Sequence, residues 1–502
     1  MKAGWSVRDW LDAQAVERPR QVCFIAPESG LTLDFAGLRT AACGLAGFYA
    51  EHGLPPGAHV AWLLPNGLQA YRLLLGTMAA GYVATPLSLL AQPEQLAYLL
   101  EHSDCRLVLV GPTQLEHLQA SLRLVKREIP LVVVDPDAAG SGGEAPREDW
   151  LQARPAVDQA ALLMYTSGTT GRPKGVLLSH GNVLAGATFV SQAHQLSATD
   201  RVLAVLPLYH INAQIVTVLA PLVHGGSLVM PQRFSVGSFW QLAGDYRCTW
   251  LNVVPTMIAY LLAATEPAGP LPAGLRFCRS ASAPLSPEHH RAFEQRFGIG
   301  IIETMGLTET AAPVFTNPLA AAQRKIGSPG QAFGSEARAV DLDNGRELPA
   351  GMAGEIQVRG PNVTAGYYKA PAETARAFSA DGWLRTGDLG YRDVDGFYFI
   401  TGRLKELIIK GGENIAPREI DEVLLAHPAV LEAACTGVPD ALYGQEILAG
   451  IVLRAGDVVS EEDLRRHCQS GLGRFKTPRY FKFLQELPKG PSGKVQRLKL
   501  PV

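Results

Sequence analysis

The sequence predicts an α/β protein with layered, largely parallel sheets and a small α+β unit towards its C-terminal end. Two observations lead to this prediction. Short runs rich in Val, Leu and Ile alternate with helical patterns, which is typical of parallel strands joined by helices. The chain has 502 residues, which exceeds one small domain and is enough to bury a large core. The clearest predicted strands are residues 105–110, 131–134, 161–165 and 202–206.

The C-terminal end of the chain has a pattern of its own. Residues 417–426 begin with proline and place apolar side chains on one face, so they predict a helix. A capping box that starts at Ser460 predicts a second helix, and residues 447–453 between the two predict a strand. We therefore expect a large domain over residues 1–402 and a separate small domain over residues 403–502.

Composition and charge argue against several classes of protein. Lys and Arg total 45 and Asp and Glu total 47, so the net charge of −2 gives no sign of a nucleic-acid partner or an anionic membrane surface. The seven cysteines form no Cys-x-x-Cys pair, and the N-terminus has no apolar signal-peptide core, so we expect reduced thiols in a cytoplasmic protein. Residues 73–91 are uncharged, but two glycines and a proline interrupt them, which favours a buried helix and strand over a membrane span.

A loop rich in glycine and hydroxyl groups follows the predicted strand at 161–165. Glycines let backbone N–H groups turn inward to form an anion-binding nest, hydroxyls add donors, and a lysine adds a positive charge. The Gly-Lys-Ser/Thr ending of a Walker motif is missing, so this is a different kind of polyphosphate site. A polar hairpin turn is the structural alternative. The candidate phosphate ligands are Thr166, Ser167, Gly168, Thr169, Thr170, Gly171 and Lys174.

Residues 165–176, YTSGTTGRPKGV, closely resemble the signature of the adenylate-forming superfamily, which includes acyl-CoA synthetases, luciferases and the adenylation domains of peptide synthetases. Four further segments resemble later motifs of that superfamily and follow in the same order: 306–309 GLTE, 382–389 GWLRTGDL, 402–415 GRLKELIIKGGENI and 488–497 PKGPSGKVQR. Because so many long motifs occur in order, a chance match is negligible.

The resemblance implies a fold and a reaction. The expected fold is a large N-terminal domain of layered α/β sheets with a small β-barrel-like part, followed by a small mobile α+β C-terminal domain. The expected enzyme is an AMP-forming acid–CoA ligase that uses ATP and Mg²⁺. It converts a carboxylic acid, itself a poor acyl electrophile, to an acyl-adenylate plus pyrophosphate, and then transfers the acyl group to the thiol of coenzyme A.

The resemblance also implies roles for single residues. Glu309 is a hard oxygen ligand suited to Mg²⁺, and Thr308 beside it can donate to the α-phosphate. Lys494, in a Gly/Ser/Pro-rich loop, is expected to neutralise the α-phosphate and the carboxylate during adenylation, whereas Lys489 is the less suitable lysine of that segment. The plain alternatives are a solvated carboxylate and an ordinary surface lysine.

Other residues are expected around the nucleoside. Asp388 presents two acceptor oxygens that suit the two ribose hydroxyls, and Arg403 resembles the second ribose contact of the superfamily. Met305 stands where an aromatic residue is commoner, so we expect a looser slot for adenine. The residues expected along the nucleotide are Ser282, Ala283, Pro284, Glu303, Thr304, Met305 and Gly306.

Two features are expected to serve the second half-reaction. Lys405, two residues after the motif arginine, resembles the hinge about which the small domain rotates in the superfamily. After that rotation Gly411 and Gly412 would meet the pantetheine arm of coenzyme A, because glycines leave room for a close approach. An ordinary exposed lysine is the alternative interpretation of Lys405.

The acid-binding pocket is the least specified part of the site. His210, in the segment PLYHINAQ at 207–214, is the candidate neighbour of the substrate carboxylate, and a buried structural histidine is the alternative. A segment at 221–235 is similar to the branch that contains oxalate–CoA ligases. Further polar candidates in this region favour a short or polar acid, with a second carboxylate or a sulfonate. The side-chain amides of Asn212 and Gln214 could equally satisfy backbone groups. These candidates are Asn212, Gln214, Arg279 and Arg233.

Two other functions stay open on sequence alone. Coenzyme A is the expected acceptor because no carrier or condensation module is appended, but a stand-alone adenylation enzyme would load the same thiol arm on a carrier protein. A catalytically inactive nucleotide-binding scaffold is the second alternative, and the presence of Lys494, Glu309 and Asp388 counts against it.

Overall fold

The computed structural model describes residues 4–138, 154–166, 173–264, 271–490 and 495–501. It confirms the predicted α/β class, with a large N-terminal part built on two sheets and a small C-terminal part built on sheets of its own. The four clearest predicted strands are all present, with ends shifted by at most two residues.

Strands and helices alternate along most of this described chain. The strands are β1 Val22–Ile25, β2 Thr32–Asp34, β3 His59–Leu63, β4 Val83–Pro86, β5 Leu107–Val110, β6 Leu131–Val133, β7 Ala160–Thr166, β8 Lys174–Ser179, β9 Arg201–Ala204, β10 Ser227–Val229, β11 Trp250–Val253, β12 Phe277–Ser280, β13 Ile301–Leu307, β14 Ala312–Thr316, β15 Gly330–Ala332, β16 Glu336–Val340, β17 Gly354–Arg359, β18 Leu384–Arg392, β19 Phe397–Arg403, β20 Ile408–Lys410, β21 Glu413–Ile415, β22 Val430–Asp440, β23 Gly444–Leu453 and β24 Tyr480–Phe483. The α-helices are α1 Val7–Glu17, α2 Phe35–Glu51, α3 Leu68–Ala79, α4 Pro93–His102, α5 Leu115–Leu122, α6 His180–Ala193, α7 Ala220–His224, α8 Val236–Asp245, α9 Pro255–Ala263, α10 Pro287–Phe297, α11 Pro371–Ala377, α12 Pro417–Leu425 and α13 Glu461–Lys476.

Two sheets form the N-terminal part. The first has six strands in the order β6-β5-β3-β4-β7-β8, and its neighbours are parallel except for β7 and β8. The second has thirteen strands in the order β16-β17-β18-β19-β15-β14-β13-β12-β11-β9-β10-β1-β2. Its middle, from β1 through β10, β9, β11 and β12 to β13, is parallel. The strands from β13 to β19 are antiparallel and continue the same sheet.

The largest apolar core joins these two sheets. Its buried side chains come from both sheets, as with Trp62 and Trp250, and from helices α1, α2, α3 and α6. Helix α6 crosses close to the turn after β13, since a Cβ on Gly186 would lie 2.0 Å from the carbonyl oxygen of Ala311. A second core, which includes side chains of α8, α9 and α10, covers the other face of the thirteen-stranded sheet. Packing thus fixes the two sheets relative to each other.

The C-terminal part has a small core of its own. Helix α12 begins at Pro417, as predicted, and its apolar face is buried against β22 and β23. The Ser460 hydroxyl accepts a hydrogen bond from the backbone N–H of Asp463 at 3.1 Å and caps α13, also as predicted. The proposed boundary after residue 402 falls near the end of β19 and stays a prediction.

The uncharged stretch at 73–91 forms the end of α3 and the strand β4, as expected for a buried helix and strand. Most of its side chains belong to the core. No helix in the described part of the chain is long and apolar enough to cross a membrane.

Candidate active site

The motif residues gather where strands of both sheets end. β7 ends at Thr166, β12 at Ser280 and β13 at Leu307, and each of these strands runs into one of the motifs. Ligands of α/β proteins bind outside the carboxyl ends of parallel strands, because loops from several strands meet at that edge. The fold therefore brings together segments that are far apart in sequence.

Of the predicted phosphate loop, the structure describes the two ends. Ser167, Gly168, Thr169, Thr170 and Gly171 lie outside the described residues. Thr166, at the end of β7, is paired with Lys174 at the start of β8. The Lys174 ammonium stands over the ring of Tyr367, 5.0 Å from its centroid.

Thr308 and Glu309 lie in a 3₁₀ turn directly after β13. The Tyr367 hydroxyl donates a hydrogen bond to Glu309 Oε1 at 2.9 Å. Burial and the charge of Glu309 raise the pKa of Tyr367 well above its ordinary value, so this phenol stays protonated and can donate. The described residues contain no group of three or more metal-binding side chains. One carboxylate nevertheless fits Mg²⁺, which keeps several waters and takes further ligands from phosphates.

Asp388 and Arg403 face each other on neighbouring strands β18 and β19. Arg403 Nε donates to Asp388 Oδ1 at 2.6 Å, and the charge of the buried carboxylate raises the pKa of Arg403. Lys405 follows in a 3₁₀ turn, where partial burial and the positive charges of Lys174 and Arg403 lower the pKa of its ammonium. Lys405 therefore lies near both Lys174 and Arg403, and a cluster of positive charge of this kind suits a polyphosphate.

The segment after β12 has an unusual backbone. Ser282 adopts a φ of +74°, a left-handed conformation that non-glycine residues rarely take and that is common at functional sites. β12 and β13 are neighbouring strands, so this segment lies beside Met305, which is half-buried opposite Phe315. The remaining predicted nucleotide neighbours lie on the same two segments: Ala283, Pro284, Glu303, Thr304 and Gly306.

Arg279 on β12 is a buried guanidinium, with 2% of its surface exposed. Its Nη1 donates to Asn212 Oδ1 and Asn252 Oδ1, both at 2.9 Å, and its Nε has no hydrogen-bond partner in the described part of the chain. Burial lowers its pKa to about 9, and no carboxylate of the described residues acts on it, so it keeps its charge at neutral pH. Arg233, the other predicted arginine, is exposed.

The histidine and the glutamine of the acyl segment have different surroundings. His210 stands just before the π-helix Ala213–Leu219, with its ring edge-on to Tyr209 at 4.6 Å between centroids. π-Helical turns occur frequently at functional sites. Gln214 Nε2 donates to the backbone oxygen of Leu208 at 2.6 Å, which is the backbone-satisfying role that the sequence left open.

Gly411 and Gly412 form the two-residue turn between β20 and β21, with φ values of +58° and +88°. Lys410 and Glu413 are paired across this turn. Two successive left-handed residues make a type I′ turn, which glycine adopts without strain. The turn itself therefore explains why glycines occupy these two positions, independently of the expected approach of coenzyme A.

Lys494 lies outside the described residues. Lys489 is described, and its ammonium forms an ion pair with Glu432 at 2.8 Å. Arg497, three residues after Lys494, pairs with Glu406 at 3.3 Å, immediately beside the predicted hinge. Arg497, in the described residues after Lys494, is thus tied to the neighbour of the predicted hinge residue.

The sequence does not predict two contacts of this site. Asn252 on β11 holds Arg279, and Tyr367 touches both Glu309 and Lys174. A polar residue inside an apolar strand is a signal that could have indicated Asn252. Tyr367 has no comparable signal, because its neighbours come from segments far away in the chain.

The fold and the clustered cations define a class, an α/β enzyme with a polyphosphate site where strands of both sheets end. Comparison with known families agrees. The family model described as AMP-binding enzyme matches residues 11–368, and the model described as AMP-binding enzyme C-terminal domain matches residues 419–494. The chain belongs to the AMP-binding enzyme family.

Several known proteins are similar over nearly the whole chain. The sulfoacetate–CoA ligase of Cupriavidus necator is 57% identical over 489 residues, which cover 97% of this chain and 96% of that protein. The oxalate–CoA ligase of Arabidopsis thaliana is 35% identical, with 89% of this chain and 88% of that protein covered. Among solved structures, o-succinylbenzoate coenzyme A synthetase from Bacillus subtilis in complex with ATP and magnesium ion has a TM-score of 0.84 at 29% identity, covering 98% of each chain.

The protein is an AMP-forming acid–CoA ligase. It activates a carboxylic acid with ATP to an acyl-adenylate and pyrophosphate, and then transfers the acyl group to the thiol of coenzyme A with release of AMP. It uses ATP, Mg²⁺ and coenzyme A. The carrier-protein and inactive-scaffold alternatives lose their support, since the relatives named above are CoA ligases.

His194, which caps the end of α6, gives the fold a pH dependence. Its ring lies against Trp250 and Phe277, and burial together with the charge of Arg279 lowers its pKa to about 3. An unfolded chain has a histidine pKa of about 6.5, so below that pH the unfolded state binds one more proton than the folded state. Stability is therefore lost as the pH falls from about 6.5 towards the folded pKa.

We expect His194→Phe to reduce this acid-induced loss, which is at most roughly 1.4 kcal/mol per pH unit for one histidine. The measurement is the free energy of unfolding in urea at about pH 7 and about pH 5, with His52→Phe at an exposed histidine as the control. A His194→Phe variant that loses stability as steeply as the unchanged protein would contradict the expectation.

Proposed function

We propose that the acid is a short carboxylic acid with a second anionic group, a sulfonate or a carboxylate, which Arg279 binds. The observation that carries this proposal is the buried charge of Arg279, held by Asn212 and Asn252 without a carboxylate from the described residues. Burying a cation without a counter-ion is costly, and a ligand anion that pairs with it recovers much of that cost.

The geometry around Arg279 suits such a group. A guanidinium presents its donors in a planar fork that matches two oxygens of a carboxylate or a sulfonate at once. Asn212, which accepts from Arg279, also donates to Ser282 Oγ at 3.0 Å, on the segment expected beside the adenine. The guanidinium is thus linked through one side chain to the nucleotide side of the site, which favours a short acid.

Two relatives act on acids of this kind. Sulfoacetate combines a carboxylate with a sulfonate, and oxalate combines two carboxylates, each on a two-carbon skeleton. The sulfoacetate–CoA ligase of Cupriavidus necator is 57% identical over 97% of this chain. We therefore propose sulfoacetate as the first acid to test.

The proposal also assigns roles around the nucleotide. Asp388 and Arg403 bind the ribose, and Ser282 to Pro284 with Met305 enclose the adenine. Thr308 donates to the α-phosphate, and Glu309 holds the Mg²⁺, which when bound neutralises phosphate charge. Lys174 and the preceding loop hold the departing pyrophosphate. The support for this assignment is the clustering of Lys174, Arg403 and Lys405 beside Glu309 and Asp388.

In this proposal both half-reactions use the C-terminal part. Lys494 neutralises the α-phosphate and the carboxylate during adenylation, with His210 beside that carboxylate. Lys405 is the hinge between residues 1–402 and 403–502, and Gly411 and Gly412 then admit the pantetheine arm. We also propose a cytoplasmic location, supported by seven buried cysteines that are all free thiols.

Replacing Arg279 tests the proposed acid. We expect Arg279→Met to raise the KM for sulfoacetate about 30- to 5000-fold, because truncating one partner of a buried charge pair typically costs about 2–5 kcal/mol. Turnover of acetate, which lacks the second anion, should change little. The measurement is pyrophosphate release with coenzyme A over sulfoacetate, oxalate, acetate and a fatty acid.

Two matched variants sharpen this test. Arg279→Lys keeps a charge but loses the planar fork, so its loss should be smaller, and the exposed Arg233→Met should behave like the unchanged protein. Equal losses on sulfoacetate and acetate, or a preference of the unchanged protein for fatty acids, would overturn the proposed substrate class.

The role of Lys494 is tested by separating the two half-reactions. Lys494→Ala should slow acyl-adenylate formation at least about a hundredfold, since it removes a cation from a charge-stabilised transition state. Thioester formation from a supplied acyl-adenylate should persist. Lys489→Ala is the control, because that lysine pairs with Glu432. Equal loss of both half-reactions in Lys494→Ala would count against the assignment.

A further inference from the structure

Residues 364–368 join two parts of the nucleotide site. The Thr364 N–H donates to the backbone oxygen of Glu309 at 2.8 Å, and its hydroxyl donates to the backbone oxygen of Leu177 at 2.6 Å. The Tyr368 N–H donates to the backbone oxygen of Gly175 at 2.7 Å. This segment therefore links the turn after β13 to strand β8, which begins at Lys174.

The side chain of Tyr367, in the middle of this segment, contacts a charged group on each side. Its hydroxyl donates to Glu309 Oε1 at 2.9 Å, and its ring lies beneath the Lys174 ammonium at 5.0 Å. Its own backbone N–H is held by Thr374 Oγ1 at 2.9 Å, and the residue forms a β-bridge with Val176. The ring is thus fixed from several directions.

We propose that Tyr367 is a positioning residue with two separable parts: its hydroxyl orients Glu309 towards Mg²⁺, and its ring orients Lys174 towards the phosphates of ATP. This inference rests on the proposed roles of Glu309 and Lys174. No other side-chain hydrogen bond to Glu309 is seen in the described part of the chain, so the hydroxyl is what fixes the carboxylate.

Physical chemistry assigns a different consequence to each part. A hydrogen bond to Oε1 leaves Oε2 for the cation and stops the carboxylate from turning towards Arg403, whose charge interacts with that of Glu309. Outer partners of metal ligands typically change metal affinity by 10- to 100-fold when they are removed. The ring attracts Lys174 by a cation–π contact, whose loss weakens binding roughly two- to fivefold at a partly exposed site.

The test compares Tyr367→Phe, which keeps the ring, with Tyr367→Leu, which removes both parts. The readout is equilibrium binding of ATP, measured by calorimetry over a series of Mg²⁺ concentrations. For Tyr367→Phe we expect the Mg²⁺ concentration at half-saturation to rise about tenfold or more, with Mg²⁺-free ATP binding unchanged. Tyr367→Leu should in addition weaken Mg²⁺-free ATP binding roughly two- to fivefold.

Tyr368→Phe is the matched control, because the adjacent tyrosine directs its hydroxyl to Asp104 at 2.7 Å. It should leave the Mg²⁺ dependence unchanged. An unshifted Mg²⁺ dependence in Tyr367→Phe, or a shift of the same size in Tyr368→Phe, would overturn the inference.

Glu309→Gln separates failure of the inference from failure of the underlying assignment. If Glu309→Gln leaves the Mg²⁺ dependence unchanged, the proposed metal role of Glu309 is wrong and the inference falls with it. If Glu309→Gln shifts it and Tyr367→Phe does not, only the inference is wrong. The double variant should show no larger shift than Glu309→Gln alone, because the hydroxyl acts through that carboxylate. Additive shifts would contradict that mechanism.

Discussion

The placement of positive charge is the constraint on which this structure depends. An enzyme that joins a carboxylate to ATP must hold several anions together, so it needs cations that are kept in fixed positions. Lys405 lies near both Lys174 and Arg403, and Arg403 is itself held by an ion pair with Asp388. Arg279 is buried and held by Asn212 and Asn252, and no carboxylate of the described residues pairs with it.

The architecture explains how such cations can be kept in place. The parallel middle of the thirteen-stranded sheet places Arg279 on β12 beside Asn252 on β11, so that paired strands supply the guanidinium and one of its acceptors. The antiparallel strands beyond β13 place Asp388 opposite Arg403. In both cases neighbouring strands hold a charged group that flexible loops could not fix as firmly. The two sets of cations suit the two kinds of anion in the reaction, the phosphates and the acid.

Much of this arrangement could be predicted from the sequence. The contacts between segments that are distant in the chain could not, for physical reasons. Runs of apolar residues locate strands such as β7, and ordered motifs indicate Glu309, Asp388 and Arg403, because local residue types carry that information. The contact of Tyr367 with Glu309 and Lys174 depends on how residues 364–368 lie against β8, which no local pattern specifies. Asn212 and Gln214 look alike in sequence, yet one accepts from Arg279 and the other bonds to a backbone oxygen.

A structure with the reaction intermediate tests the central claim most directly, namely that Arg279 receives the second anion of the acid. The measurement is a crystal structure of this protein with the adenylate of sulfoacetate, or a stable analogue of it. We expect a sulfonate oxygen within about 3.2 Å of a guanidinium nitrogen of Arg279. A sulfonate that points to solvent, with the Arg279 guanidinium still paired to Asn212 and Asn252 alone, would contradict the claim.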